Sequence, residues 1–212
     1  MPNSPTDSML EYLIHGFMNL QTEEECLSFL RDLCTESELL EMSRRLQAAK
    51  MLKNEGVNAK FFIAGTGSYE GHLKEKVKEL GLSDTVIFTG FITDVDKLMS
   101  ITDIQANASY GTEATSLALL EGMSIGVPGV VSDFGGNPGV IMDGENGFVV
   151  AKQNSVALKD GLKKLLEDSE LYQKMSQRSK EIFNETFTSR IMTKNTEDIY
   201  SETIGKERNK RR

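Results

Sequence analysis

The chain has 212 residues, enough for one ordinary domain with an appendage. A hydrophobic fraction of 39%, a charged fraction of 26% and a net charge of −8 describe a globular chain whose body is unsuited to nonspecific nucleic-acid binding. No apolar run reaches the ~20 residues of a bilayer span. The opening Met1-Pro-Asn-Ser-Pro lacks the pattern of a signal peptide. Cys26 and Cys34, both inside one apolar helical pattern, read as buried thiols of a cytoplasmic protein rather than as a disulfide or metal ligands.

Residues 8 to 52 carry helical periodicity throughout. Met9, Leu10, Leu13, Ile14, Phe17 and Met18 follow one helical face. Thr22-Glu-Glu-Glu25 and Thr35-Glu-Ser-Glu38 are capping boxes that open two further helices. Three helices of this length bury little alone, so their apolar faces need the rest of the chain or a second copy. Arg44 and Arg45 read as a solvated helix face.

After Gly56 the pattern changes. Lys60–Ala64 is a short apolar strand ended by Gly65-Thr-Gly67, and a charged helix follows from Tyr69 to Leu80. Val86–Phe88 is a second strand, Gly90 and Phe91 a turn, and Asp94–Met99 a short helix. Ile104–Ala108, Val127–Val131 and Phe148–Val150 are three more strands. A helix from Glu113 to Met123 lies between the first two of these, and two or three helices fill Ser155 to Ile204. Strands alternating with helices predict a Rossmann-like parallel sheet covered on both faces, preceded by an all-helical segment. Ligands of such sheets bind at the carboxyl ends of the strands. Gly65, Gly67, Gly90, Phe91, Ser109 and Glu113 all fall there. The basic tail Lys206–Arg212 reads as a solvated terminus.

The most informative stretch is Glu113-Ala-Thr-Ser-Leu-Ala-Leu-Leu-Glu121. With a helix starting near Thr115, Glu113 lies at its mouth and Glu121 two turns down. The free N–H groups at the mouth can hold an anion. The layout suits a diphosphate between two hydroxyl-bearing groups, although spacing alone favours an ordinary capped helix. Gly65-Thr-Gly67 lacks the third glycine of a dinucleotide fingerprint, since position 70 is Glu. His15 and His72 stand apart, so neither a zinc set nor a catalytic triad is expected, and no cofactor is implied.

Residues 57 to 203 resemble the C-terminal, donor-binding half of group-1 (family-4) retaining glycosyltransferases. The resemblance rests on Phe61–Gly67, Val86–Phe91, Ala108–Glu113 with Glu121, Gly126-Val-Pro128, Ser132–Gly136 and Asp143–Gly147. It implies a nucleotide-diphosphate-sugar ligand. Glu113 would contact the sugar as the catalytic candidate, and Glu121 would bind the ribose. Thr115, Ser116 and Leu117 would hold the diphosphate at the helix mouth. Gly65, Gly67, Phe91 and Ser109 would border the nucleotide. The family's early Arg–Lys pair has no counterpart upstream of Val57, and many members carry an acid within Gly136–Gly139. The family's acceptor-binding half is missing, so incomplete catalysis is expected.

Residues 23 to 52 resemble the dimerising part of the tryptophan-repressor-like family, without its DNA-reading helix-turn-helix. The expected organisation is therefore a chimera: a helical segment over 1–52 and a Rossmann-like nucleotide-sugar domain over 53–212. A homodimer through residues 8–52 is expected and DNA binding is not. A non-catalytic regulatory or scaffolding dimer is the alternative, and a DNA-binding regulator is weaker still.

Overall fold

The computed structural model of the chain describes Thr22 and residues 36–67, 69–110 and 116–210. The first two expected helices lie outside these residues. The third is present as α1, Glu36–Asn54. Gly56, at φ 76°, closes it, and the Val57 N–H returns to the Leu52 carbonyl at 3.0 Å.

Among the described residues, five parallel strands follow in the expected order: β1 (Phe61–Ala64), β2 (Val86–Gly90), β3 (Gln105–Asn107), β4 (Gly129–Ser132) and β5 (Gly147–Val150). Between them lie α2 (Glu70–Glu79), α3 (Val95–Ser100), α4 (Leu117–Ile125) and the four-residue α5 (Asn137–Val140). Helices α6 (Ser155–Glu167) and α7 (Ser169–Ile182), a π-helical turn over Phe183–Phe187 and α8 (Ser189–Lys210) complete the described residues. Asn154 caps α6 and Asp168 caps α7, each side chain accepting a backbone N–H at 2.9 Å.

The Rossmann-like arrangement is present, but the strands form two sheets. One holds β1 and β2, the other β3, β4 and β5 in that order. Helix α1 joins them. Its Leu46 and Ala49 pack with Leu73, Val77, Leu82 and Val86 against the two-stranded sheet. Its Ala48 and Leu52 pack with Val130, Leu158 and Leu162 against the three-stranded one. The helix thus runs across the joint expected between residues 52 and 53. Leu119, Met123, Val131, Ile141 and Ile182 cover the opposite face of the larger sheet.

Polar contacts reinforce the position of α1. Lys53 Nζ donates to the Gly81 carbonyl at 2.7 Å, and Glu55, just past the helix, accepts from Lys159 and Lys163 of α6 at 2.9 and 2.6 Å. Between α5 and β5, the fully buried Asn146 accepts from the Met142 N–H at 2.7 Å and donates to the Val140 carbonyl at 3.2 Å.

Candidate functional site

Parallel strands place their following loops on one rim, and the expected site residues divide between the two sheets there. Gly65 and Gly67 follow β1, and Phe91 follows β2. Gly65 has φ 107° and bridges Gly90, whose own φ is 66°, by an N–H to carbonyl bond of 2.9 Å. Both conformations favour glycine. A Cβ added at either Gly65 or Gly67 would meet nothing within 4 Å, so these turns leave open space above the strand ends. Phe91 is 77% exposed and free to meet a planar ligand.

Ser109 belongs to the three-stranded sheet. Its N–H bonds to Asn107 Oδ1 at 2.9 Å, and its carbonyl accepts from Ser132 Oγ at 2.6 Å. The buried Asn137 donates Nδ2 to the Ser132 carbonyl and hydroxyl, at 3.3 Å each, while its Oδ1 is buried without a partner. These contacts hold the ends of β3 and β4 in one polar knot beneath the rim.

Glu113 and Thr115 lie outside the described residues. The next helix begins later than its spacing suggests: Ser116 is the N-cap and Leu117 the first helical residue. Glu121 is therefore four residues, about 6 Å, from the first residue of the described helix, not two turns down from its mouth. Ser116 Oγ accepts the Leu119 N–H at 3.4 Å. Helix geometry leaves the N–H groups of Leu117 and Ala118 without intrahelical acceptors. Leu117 is 71% exposed and Glu121 is exposed, so both face solvent from α4.

The structure adds residues that the sequence reading passed over. The Arg44 guanidinium lies over the Tyr110 ring, 5.6 Å from its centroid, and its Nη1 is buried without a hydrogen-bond partner. Arg44 is half-buried, which corrects its reading as part of a solvated face. Lys152 Nζ stands 5.9 Å from the Tyr110 centroid and 5.7 Å from that of Phe134. The two rings are 5.9 Å apart. Tyr110, Phe134 and Lys152 follow β3, β4 and β5, so their place after strands was the available signal. Arg44 carried none, because it comes from α1. Two cations thus converge on an aromatic pair at the carboxyl rim. The attraction of cations to ring faces holds them there and leaves their charge available to an anion. No cluster of metal-ligating side chains occurs among the described residues.

Comparison with known proteins bears on the family and the fold. The family profile described as "Glycosyl transferases group 1" matches residues 41–182, and that of the Trp repressor protein matches residues 8–60. N-acetyl-alpha-D-glucosaminyl L-malate synthase of Bacillus anthracis is 31% identical over 153 residues, covering 72% of this chain and 40% of that protein. The chain therefore spans well under half the length of this curated relative. The C-terminal domain of LpcC, a group 1 family glycosyl transferase of Francisella tularensis, superposes with a TM-score of 0.63 at 26% identity, covering 71% of this chain and 81% of that one. Anabaena Alr3699/HepE, solved with UDP and glucose, shares the fold, with a TM-score of 0.69 at 19% identity over 86% of this chain and 53% of that one.

Proposed function

The chain belongs to the group 1 glycosyl transferase family, and from that premise we propose that its rim binds a nucleotide-diphosphate sugar as the donor half of a glycosyl transfer site. The observation that carries the reading is the pair of cations, Arg44 and Lys152, held over Tyr110 and Phe134 at the strand ends. They supply the positive charge that the usual basic pair would supply, and the N–H groups of Leu117 and Ala118 add the dipole of α4. Glu121 accepts the ribose hydroxyls, and Glu113 the sugar hydroxyls near the reacting carbon. Gly65, Gly67, Phe91 and Ser109 border the nucleotide.

In the transfer itself, the bond between the anomeric carbon and the diphosphate oxygen breaks. A new bond forms to an acceptor hydroxyl oxygen, whose proton is released. Negative charge gathers on the departing diphosphate, and fixed cations and N–H groups stabilise it without reorganising. Because the chain spans 40% of the malate synthase relative, the proposal is donor binding, with little or no transfer by these residues alone.

Titration with uridine and guanosine diphosphate sugars, followed by thermal stability, tests the reading. A ligand at 100 times its dissociation constant stabilises by about 2.7 kcal/mol. Arg44→Gln, Lys152→Gln and Glu121→Ala should each weaken the response, the first two by roughly tenfold, the loss of one charge-assisted contact. No midpoint shift with any donor at millimolar concentration refutes donor binding. The match of the repressor profile to residues 8–60 favours a second reading, a regulatory dimer built through residues 8–52. Light scattering on the full chain tests it: a dimer that shows no ligand response supports the regulatory reading.

A further inference from the structure

Among the described residues β1 pairs only with β2, and β3 only with β4. In parallel pairing, successive residues turn their N–H and C=O groups alternately to one side and the other. The Phe61 N–H bonds the Thr85 carbonyl and the Gly65 N–H the Gly90 carbonyl, both at 2.9 Å. Phe61, Ile63 and Gly65 therefore face β2, and Phe62 and Ala64 turn away from it. The Gln105 N–H bonds the Pro128 carbonyl at 3.0 Å, so Ile104 and Ala106 turn away from β4.

Both outward rows line one cavity of about 550 Å³. Residues 58–64 form one wall and residues 103–106 the other, with Leu46 and Ala49 of α1 and Leu158 and Leu162 of α6 across it. Strands lie about 4.8 Å apart, layers about 10 Å apart, and each residue rises about 3.3 Å, so four residues of strand fill on the order of 600 Å³. The cavity has room for a short strand, and among the described residues two open strand edges face it. In the order of a doubly wound sheet, 3-2-1-4-5-6, strand 1 lies between the pair 3-2 and the trio 4-5-6. Here β2-β1 and β3-β4-β5 take those outer places, and the place of strand 1 is the cavity.

We propose that this slot is a docking site for an extended strand of another polypeptide chain, added parallel to β1 and β3 and hydrogen-bonded to both. Two unpaired backbone edges identify the occupant as peptide backbone, because a merely apolar ligand leaves those N–H and C=O groups unmet. Helices over the slot require the strand to be apolar on its covered face, and a strand central to a parallel sheet reads as a near-continuous hydrophobic run rich in Val, Ile and Leu. Residues 1–35 contain no such run: their longest uninterrupted apolar stretch is three residues, Tyr12-Leu-Ile14. A second copy offers the same residues 1–35, and its runs such as Val86–Phe88 and Phe148–Val150 already lie in its own sheets. The mode is β-strand addition, completed on both sides instead of one. It is independent of the nucleotide-sugar reading.

The test uses the full chain and a synthetic peptide of five alternating valine and isoleucine residues flanked by lysines. Its control is the same peptide N-methylated at alternate residues, which retains the charge and apolar surface but loses the donors of one edge. Residue-resolved amide exchange should slow at least tenfold at Phe62, Ala64, Ile104 and Ala106 with the first peptide and not with the second. Ala106→Pro removes one outward donor while leaving the β3–β4 ladder intact, and should abolish the response. If that variant fails to fold, the methylated peptide still decides the matter. Absent protection, or equal protection by both peptides, overturns the proposal. Protection already present without peptide also overturns it, assigning the slot to the chain's own terminus. Protection that grows with protein concentration overturns it in favour of a second copy.

Discussion

Leu52→Ala measures whether α1 is part of the sheet core or an attached module. Leu52 is fully buried and packs with Val130 of β4 and Leu158 and Leu162 of α6. The substitution removes three carbons, about 0.8 kcal/mol each in transfer free energy. Incomplete collapse of the site adds a cavity cost, which brings the loss to about 3 kcal/mol or somewhat more. For a chain of this size that lowers the thermal midpoint by roughly 6 to 12 °C. Urea unfolding followed by far-ultraviolet circular dichroism should show a lower midpoint concentration with an unchanged slope. Gln47→Ala, on the exposed side of the same helix, loses one contact to Ser155 and should stay within about 0.5 kcal/mol. A loss under about 1 kcal/mol for Leu52→Ala refutes the reasoning, because α1 would then contribute no core to the sheets. It would also undercut Arg44 as a fixed element of the rim, since the same helix positions it.

A Cβ at Gly147 would lie 2.0 Å from the Gly129 carbonyl oxygen on the facing strand. Gly147→Ala must therefore spread β4 from β5 and should cost about 1 to 3 kcal/mol or more in thermal unfolding. Gly67→Ala meets open space and should leave the midpoint unmoved while reducing the nucleotide-sugar response, because it fills the floor of the proposed base site. The Glu55 carboxyl is held below its ordinary value of 4.5 by hydrogen bonds from Lys163 and then Lys159. A depressed folded value means that this contribution is present above pH 4.5 and disappears as pH falls through the lower folded value. The stability difference between the native chain and Glu55→Gln should therefore be present at neutral pH, shrink in acid and weaken with added salt. A difference that persists at low pH contradicts this origin.

The βα units were legible because each strand is a short apolar run stopped by glycine, as in Phe61–Ala64 before Gly65-Thr-Gly67. The start of α4 was misplaced by two residues because Thr115 and Ser116 both suit a cap. The side chain of Ser116 is the one that accepts the Leu119 N–H. The short α5 and the π-helical turn at Phe183–Phe187 were not legible. One is too brief to show a period, and the other depends on a bonding offset that side-chain pattern does not encode.

By itself the sequence determined the order and kind of the elements, the glycines that turn above β1 and β2, and the family. These depend on local backbone preference and on motifs read along the chain. Only the tertiary structure decided that the strands divide into two sheets among the described residues, because apolar runs mark strands but not their neighbours. It alone brought Arg44 of α1 over Tyr110 beside Lys152, since that meeting depends on how α1 packs across both sheets.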